Sequence, residues 1–158
     1  MKVSEIMTME VVTALPDTSV NLIARLMAGK GISGVPVVTE GGELVGLVTE
    51  LDMVERNTRL EPPAFFQILD GRIPLETPAH YKKRIRHMLG ALARDVMTEE
   101  VVTIAPDEDV EEVASLMVKH RVNPVPVVDG GRLVGIVSRA DIIGMMARDL
   151  DEAPPGGS

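Results

Sequence analysis

Residues 5–38 read EIMTMEVVTALPDTSVNLIARLMAGKGISGVPVV, and residues 95–128 repeat this stretch without a gap as DVMTEEVVTIAPDEDVEEVASLMVKHRVNPVPVV. After a turn that differs by one residue in length, GGELVGLVTELDMV at 41–54 matches GGRLVGIVSRADII at 130–143. An ordered series of this length does not recur by chance, so the chain contains an internal duplication. The sequence therefore predicts two copies of one structural unit.

Each copy predicts the element order β-α-β-β-α. A short apolar run ends at Pro16 and again at Pro106, which is typical of a brief strand entering a turn. The next segment has helical spacing, with Asp17 and Thr18 as candidates for the N-terminal cap. The apolar face of this helix comprises Val20, Ile23, Leu26 and Met27, and in the second copy Val110, Val113, Leu116 and Met117.

Two buried strands joined by a glycine turn follow this helix in each copy. The strands VPVV and LVGLVT predict a hairpin, with positive φ at Gly41 and Gly42 and at Gly130 and Gly131. A second helix follows, which gives a three-stranded sheet covered by two helices. A unit of about fifty residues buries too little surface to be stable alone, so the two copies should pack as a pseudo-twofold pair.

The predicted fold class is α+β, and the repeats define the domains. We assign them as repeat 1 at 1–57, a linker folded onto the pair at 58–92, repeat 2 at 93–150 and a disordered tail at 151–158.

Composition restricts the classes of function. The formal net charge of −8 disfavours general binding to nucleic acid or to an anionic membrane. The chain has no cysteine, which fits a reducing compartment, and it has no uninterrupted apolar stretch long enough for a membrane span. We therefore expect a cytoplasmic protein without a membrane partner.

The ordered motifs resemble a known family, the tandem cystathionine-β-synthase domain pair, or Bateman module. The similar segments are EIMT and DVMT, GISGVPVV and HRVNPVPVV, LVGLV and LVGIV, and the T/S-x-x-D motifs at 49–52 and 138–141. The resemblance implies a module that binds AMP, ADP, ATP or S-adenosylmethionine in clefts between the repeats. It also implies a homodimer and regulation of a protein partner, which the sequence leaves unknown.

The T/S-x-x-D motifs supply the candidate site residues. A carboxylate at the start of a helix can accept hydrogen bonds from both ribose hydroxyls, which suits Asp52 and Asp141. The hydroxyls of Thr49 and Ser138 are candidates for ribose or phosphate contact, and unpaired amides at the helix N-terminus favour phosphate. The aliphatic walls for adenine are assigned to Ile32, Val35, Pro36, Val122, Val125 and Pro126.

A structural alternative exists for the same motif, because S/T-x-x-D/E before an apolar run is also a capping box that binds no ligand. Capping and binding can coexist. The second repeat carries more basic residues, with Arg121 and Arg139 as candidate ligand contacts, so we expect phosphate-rich ligands to prefer the cleft that contains Asp141.

The linker carries both apolar and basic residues. Its apolar residues Phe65, Phe66, Ile68, Leu69 and Ile73 predict packing against the repeats. The segment YKKRIRHMLGAL at 81–92 predicts a helix with a basic cluster at Lys82, Lys83, Arg84 and Arg86. This helix is either a solvated connector or an arm that contacts a partner or a phosphate.

The sequence contains no catalytic or metal-binding pattern. The three histidines lack metal spacing, and neither a P-loop nor a nucleophile elbow is present, so we expect neither an enzyme nor a required cofactor. The leading hypothesis is an adenine-nucleotide sensor. The alternatives are a ligand-free dimerisation scaffold and an accessory that binds nucleic acid through the basic helix.

Overall fold

The structure, a computed structural model, describes residues 1–57, 65–68, 71–74 and 77–152. The first repeat contains helix α1 (Val3–Ile6), helix α2 (Val20–Lys30), strand β1 (Gly34–Val38), strand β2 (Leu44–Thr49) and helix α3 (Glu50–Glu55). The linker contains strand β3 (Phe65–Ile68), strand β4 (Gly71–Pro74) and helix α4 (Pro78–Leu89). The second repeat contains helix α5 (Ala93–Val96), helix α6 (Val110–His120), strand β5 (Val125–Asp129), strand β6 (Arg132–Val137) and helix α7 (Arg139–Glu152).

The third strand predicted for each sheet is reduced to one paired residue. The regular ladders are two-stranded and antiparallel, β1 with β2 and β5 with β6. Ala14 pairs in parallel with Val37, and its N–H donates to the carbonyl of Pro36 at 2.9 Å. Ile104 pairs in the same way with Val127 in the second repeat. Each segment then turns at a proline, where the N–H of Thr18 donates to the carbonyl of Leu15 at 3.0 Å and the N–H of Glu108 donates to the carbonyl of Ala105 at 3.3 Å. Because Pro16 and Pro106 have no N–H to donate, the ladder does not extend beyond one pair.

The long helix of each repeat buries the predicted face. Val20, Ile23 and Met27 of α2 are buried, and Leu26 is half-buried; α6 repeats this pattern. The cap prediction was wrong by one residue, because Ser19 caps α2 by accepting a hydrogen bond from the N–H of Leu22 at 3.2 Å. Burial of these apolar faces against the strands is the main stabilising contribution to each core.

The two leading helices are exchanged between the repeats. Val3 and Ile6 of α1 are buried in the core of the second repeat, while Ala93 and Val96 of α5 are buried in the core of the first. Backbone hydrogen bonds hold both helices, for example from Val3 N–H to the carbonyl of Glu108 at 2.8 Å. Each core is therefore completed by residues from the other half of the sequence.

Close packing over two glycines holds the exchanged segments. A Cβ atom placed on Gly46 would lie 2.8 Å from Cγ of Met97, and one placed on Gly135 would lie 2.9 Å from Cγ of Met7. Backbone pairing next to each methionine joins Thr98 to Leu47 and Thr8 to Ile136. Only glycine allows the methionine to lie this close to the strand.

The tips of the two hairpins also meet across the pseudo-twofold axis. The N–H of Leu44 donates to the carbonyl of Gly131 at 3.3 Å, and the N–H of Leu133 donates to the carbonyl of Gly42 at 3.1 Å. Gly42, Gly130 and Gly131 have positive φ as predicted, whereas Gly41 does not. The turn of the first hairpin is one residue longer and needs the left-handed conformation only once.

The linker contains a hairpin and a helix, and the helix lies against α3 and α5. Strands β3 and β4 pair antiparallel, and Leu69 and the tail residues 153–158 lie outside the described residues. Helix α4 begins at Pro78, earlier than predicted, and the Thr77 hydroxyl accepts a hydrogen bond from the N–H of His80 at 3.2 Å. Arg56 of the first repeat donates to the carbonyl of Gly90 at 3.0 Å, which anchors α4 near α3. The last helix, α7, continues through Glu152, so the first two residues of the predicted tail are helical.

Candidate functional site

Two clefts lie between the repeats, and each contains one T/S-x-x-D motif. The Asp141 cleft has a volume of about 390 Å³ and is lined by residues that include Thr8, Glu10, Ile32, Ser138, Arg139 and Asp141. The Asp52 cleft has a volume of about 340 Å³ and is lined by residues that include Thr49, Asp52, Thr98, Arg121, Val122 and Arg139. Both volumes are in the range of small-ligand sites.

Each cleft combines the carboxylate of one repeat with an aliphatic wall from the other. Ile32 of the first repeat lies in the Asp141 cleft, and Val122 of the second repeat lies in the Asp52 cleft. This arrangement follows from the pseudo-twofold packing, which brings the loop before β1 opposite the start of α7. A ligand in either cleft would contact both repeats.

Four of the predicted wall residues do not line a cleft. Val35 and Pro36 in β1, and Val125 and Pro126 in β5, are fully buried. Every residue of β1 is buried, on both faces of the strand, and Val35 and Val125 belong to the two hydrophobic cores. The prediction that these four side chains form the walls of a cleft was wrong, because a side chain packed inside the protein is not available to a ligand in either cleft.

Both aspartates form capping hydrogen bonds through one carboxylate oxygen. Oδ2 of Asp52 accepts from the N–H and the hydroxyl of Thr49 at 2.9 and 3.0 Å. Oδ2 of Asp141 accepts from the N–H and the hydroxyl of Ser138 at 2.7 and 3.0 Å. Both motifs therefore cap their helices. The capping hydrogen bonds use only Oδ2 of each aspartate, so Oδ1 can bond to other partners.

Thr98 was not identified from the sequence as a site residue. Its hydroxyl donates to Asp52, with Oδ1 at 3.2 Å and Oδ2 at 3.4 Å. Thr8 is the equivalent residue of the first repeat and lines the Asp141 cleft. Both threonines are the last residues of the duplicated EIMT and DVMT segments, so the repeat itself pointed to them. They reach the clefts through the exchange of the leading helices, and a linear pattern does not show that exchange.

The predicted basic residues divide differently between the clefts. Arg139 lines both clefts, whereas Arg121 lies in the Asp52 cleft and not with Asp141. The Asp141 cleft contains two carboxylates and one guanidinium, and the Asp52 cleft, which also has Glu50 and Glu100, contains three carboxylates and two guanidiniums. Each cleft has one excess negative charge, so the predicted preference of phosphate for the Asp141 cleft loses its electrostatic basis.

Most helix-terminal amides at the clefts already have partners. The N–H of Arg139 donates to Oδ1 of Asn123 at 3.0 Å, and the N–H of Glu50 donates to the carbonyl of Ser33 at 3.0 Å. The amides of Asp52 and Asp141 donate to the hydroxyls of Thr49 and Ser138. These bonds remove most of the donors that the sequence suggested for phosphate.

Arg121 occupies a strained position that glycine occupies in the first repeat. It ends α6 with φ of 53°, and the equivalent residue Gly31 ends α2 with φ of 62°. A left-handed conformation costs a residue with a Cβ about 1 kcal/mol or more. The chain retains an arginine here although glycine would be less strained, which is a pattern found at functional sites.

We expect Arg121→Gly to raise the free energy of unfolding by about 0.5–1 kcal/mol, because glycine adopts positive φ without steric cost. Urea denaturation followed by circular dichroism measures the effect. Arg148→Gly is the control, because Arg148 is an exposed helical residue that should lose stability on the same change. A loss of stability in Arg121→Gly would contradict the strain argument.

Neither a metal cluster nor a membrane-spanning helix is found in the part of the chain that the structure describes. Groups of three or more histidine, aspartate or glutamate side chains that could hold an ion are absent there. Over the same ranges, each helix is too short or too polar to cross a bilayer.

Comparison with known proteins identifies relatives over almost the whole chain. A family model described as the CBS domain matches residues 3–58 and 93–148. The uncharacterized protein MJ1426 of Methanocaldococcus jannaschii is 33% identical over 153 residues, which cover 90% of this chain and 89% of that protein.

Two solved structures have similar folds. The CBS domain pair of protein MJ0100, in complex with 5′-methylthioadenosine and S-adenosylmethionine, has a TM-score of 0.69 and 27% identity, covering 94% of this chain and 98% of that one. CBSX2, a CBS-pair protein of Arabidopsis thaliana, in complex with AMP, has a TM-score of 0.78 and 23% identity, also covering 94% and 98%.

Proposed function

Because this chain belongs to the CBS domain family and has the α+β fold of two repeats predicted from its sequence, we propose that it is a regulatory module for an adenosine-containing ligand. The ligand is AMP, ADP, ATP or S-adenosylmethionine. The observation that carries the proposal is the carboxylate of Asp141, which lies half-exposed in an open cleft of about 390 Å³. The similar CBS pair of MJ0100, which holds two adenosyl ligands, supports it.

The residues around Asp141 suit an adenosine. The vicinal hydroxyls of ribose can donate to the carboxylate, which then accepts charge-assisted hydrogen bonds. The base would lie against Ile32 and against Val11 and Val12, which line the same cleft. Without aromatic side chains in the cleft, such aliphatic contacts must provide the apolar surface for adenine.

The negative charge of the clefts predicts an order of affinity among the four ligands. Each cleft has one excess carboxylate, so every additional phosphate meets a site of the same sign. Arg139 is the cation shared by both clefts and is the candidate partner for a single phosphate. We therefore expect S-adenosylmethionine and AMP to bind more tightly than ATP.

Regulation follows if the ligand prefers one arrangement of the repeats. A ligand in either cleft contacts both repeats and can shift their relative position only by binding one arrangement more tightly than another. The partner protein that would respond to this shift is unknown. A cytoplasmic location and a role without catalysis are parts of the same proposal.

We also propose that the chain forms a homodimer through an apolar face. A groove of about 420 Å³ between α6 and α7 is lined by Met117, Val118, Ile142 and Ile143. Large apolar side chains are exposed nearby and on the equivalent helix of the first repeat; these are Leu51, Val54, Ile143, Met146 and Leu150. Ile143, Met146 and Leu150 are spaced by three and four residues and so share one face of α7, and an exposed apolar helix face of this kind is typical of an interface.

Thermal denaturation with added ligands tests the proposed function. A ligand that binds only the folded protein must raise the melting temperature, and at one hundred times Kd the stabilisation is about 2.7 kcal/mol. We expect a rise with S-adenosylmethionine and AMP, a smaller rise with ATP, and none with 2′,3′-dideoxyadenosine, which lacks the ribose hydroxyls. The variant with both Asp52→Asn and Asp141→Asn is the control and should not respond. An equal response to the dideoxy compound would sink the ribose assignment.

The second candidate function is a ligand-free dimerisation scaffold. The complete capping boxes and the apolar face favour it, because neither requires a ligand. In the same experiment, a dimer that responds to none of the adenosyl compounds would support the scaffold. A response to a short RNA alone would instead support the nucleic-acid alternative, for which Lys82 and Lys83 on α4 are exposed.

A further inference from the structure

The two aspartates have the same motif but different surroundings. Asp52 is only 6% exposed, and both of its carboxylate oxygens lie within hydrogen-bond distance of the Thr98 hydroxyl. Asp141 is half-exposed, and in the described part of the chain its Oδ1 accepts no hydrogen bond. One carboxylate is therefore open to a ligand, and the other is already engaged.

The backbone does not explain this difference. Thr98 pairs with Leu47 through two hydrogen bonds of 3.0 and 2.8 Å, and Thr8 pairs with Ile136 through two of 2.9 and 3.0 Å. The two threonines thus occupy equivalent positions on equivalent segments. The two aspartates therefore differ in exposure because different elements pack against them on the side away from the cleft.

Helix α4 is the element that breaks the twofold symmetry. A separate cavity of about 270 Å³ is lined by Asp52, Thr98 and Glu55 together with His80, Lys83 and Arg84 of α4. Because Asp52 and Thr98 line both this cavity and the Asp52 cleft, the pair forms the partition between them. The linker helix therefore covers one side of Asp52.

We propose that Thr98 is a latch on Asp52, so that ligand fills the Asp141 cleft first and the Asp52 cleft only after the latch opens. This inference rests on the proposed function. Ribose bound to Asp52 must displace a hydrogen bond to a charged acceptor, which corresponds to about a ten- to hundredfold loss of affinity relative to the Asp141 cleft. Thr98 also lines the cavity beside α4, so its displacement changes the surface that faces this helix. Binding in the Asp52 cleft would therefore alter the contacts of the linker helix.

The test is calorimetric titration of the full chain with 5′-methylthioadenosine, which has the ribose hydroxyls but no phosphate. The wild type should show one tight and one weak event per chain. Asp141→Asn should remove the tight event, and Asp52→Asn should remove the weak one. Thr98→Val should strengthen the weak event about tenfold, whereas Thr13→Val, the same change at an exposed residue that lines neither cleft, should leave both events within about twofold.

Thr98→Ser keeps the hydroxyl and should bind like the wild type. This variant separates loss of the hydrogen bond from any other effect of a substitution at position 98. Two equal sites in the wild type, or a weak event unchanged by Thr98→Val, would overturn the latch while leaving the proposed function intact. Absence of binding in every variant, with S-adenosylmethionine and AMP as well, would overturn the proposed function and the latch together.

Discussion

Gly46→Val should lower the free energy of unfolding by about 2–3 kcal/mol, because the new side chain collides with Met97 on the exchanged segment. The new Cβ alone would lie 2.8 Å from Cγ and 3.2 Å from Cβ of Met97. The Cβ of Met97 cannot move far because the adjacent backbone of Thr98 is paired with Leu47, and the rest of the Met97 side chain would have to change rotamer inside a core. Urea denaturation followed by circular dichroism measures the loss.

Two further variants make this prediction specific. Gly29→Ala is the control, because nothing lies within 4 Å of its Cβ position and alanine favours the helix, so its stability should rise. In the double variant with Met97→Ala, the new valine has room, so the combined loss should be smaller than the sum of the two single losses. Strict additivity would show that the two residues do not meet.

Val3→Asp should destabilise the protein by more than about 4 kcal/mol, because it places an unpaired carboxylate in a core. Val3 is 0% exposed, and its neighbours, such as Val113 and Val127, belong to the second repeat. Hydrogen exchange should therefore accelerate first in α6, β5 and β6, although the substitution lies at the start of the sequence.

The control for Val3→Asp is Met9→Asp, which changes a residue that is 73% exposed and should alter stability by less than about 0.5 kcal/mol. If Val3→Asp accelerated exchange only in β1 and β2, the exchange of leading helices would be wrong.

The sequence predicted the elements well because periodicity and turn residues report local structure. The buried face of α2, the hairpins and the duplicated unit follow from spacing alone. The prediction of a third regular strand was wrong, since each repeat turns at Pro16 or Pro106 after a single paired residue, and such a turn has no periodic signature.

The predicted T/S-x-x-D motifs line the clefts, because a strand end followed by a helix start fixes their place, and the predicted Ile32 and Val122 line them as well. Ligand contact by these residues stays a prediction. The side chains of Val35 and Val125 line neither cleft, because both are buried in a core. Thr98 was missed, because the exchange of the leading helices brings it to Asp52 from the other half of the sequence, and packing between distant segments has no signature in a local pattern.

The exchange of α1 and α5 has a consequence for how the chain is synthesised. Residues 3–6 of α1 are made long before the segments that bury them, such as β6 with Val137, whereas the first core needs only residues 14–97. The core of the first repeat can therefore close once α5 is made, while α1 stays without its apolar partners until β6 follows. A fragment that ends before α5 lacks Ala93 and Val96, and a fragment that starts after α1 lacks Val3 and Ile6, so each fragment lacks part of one core.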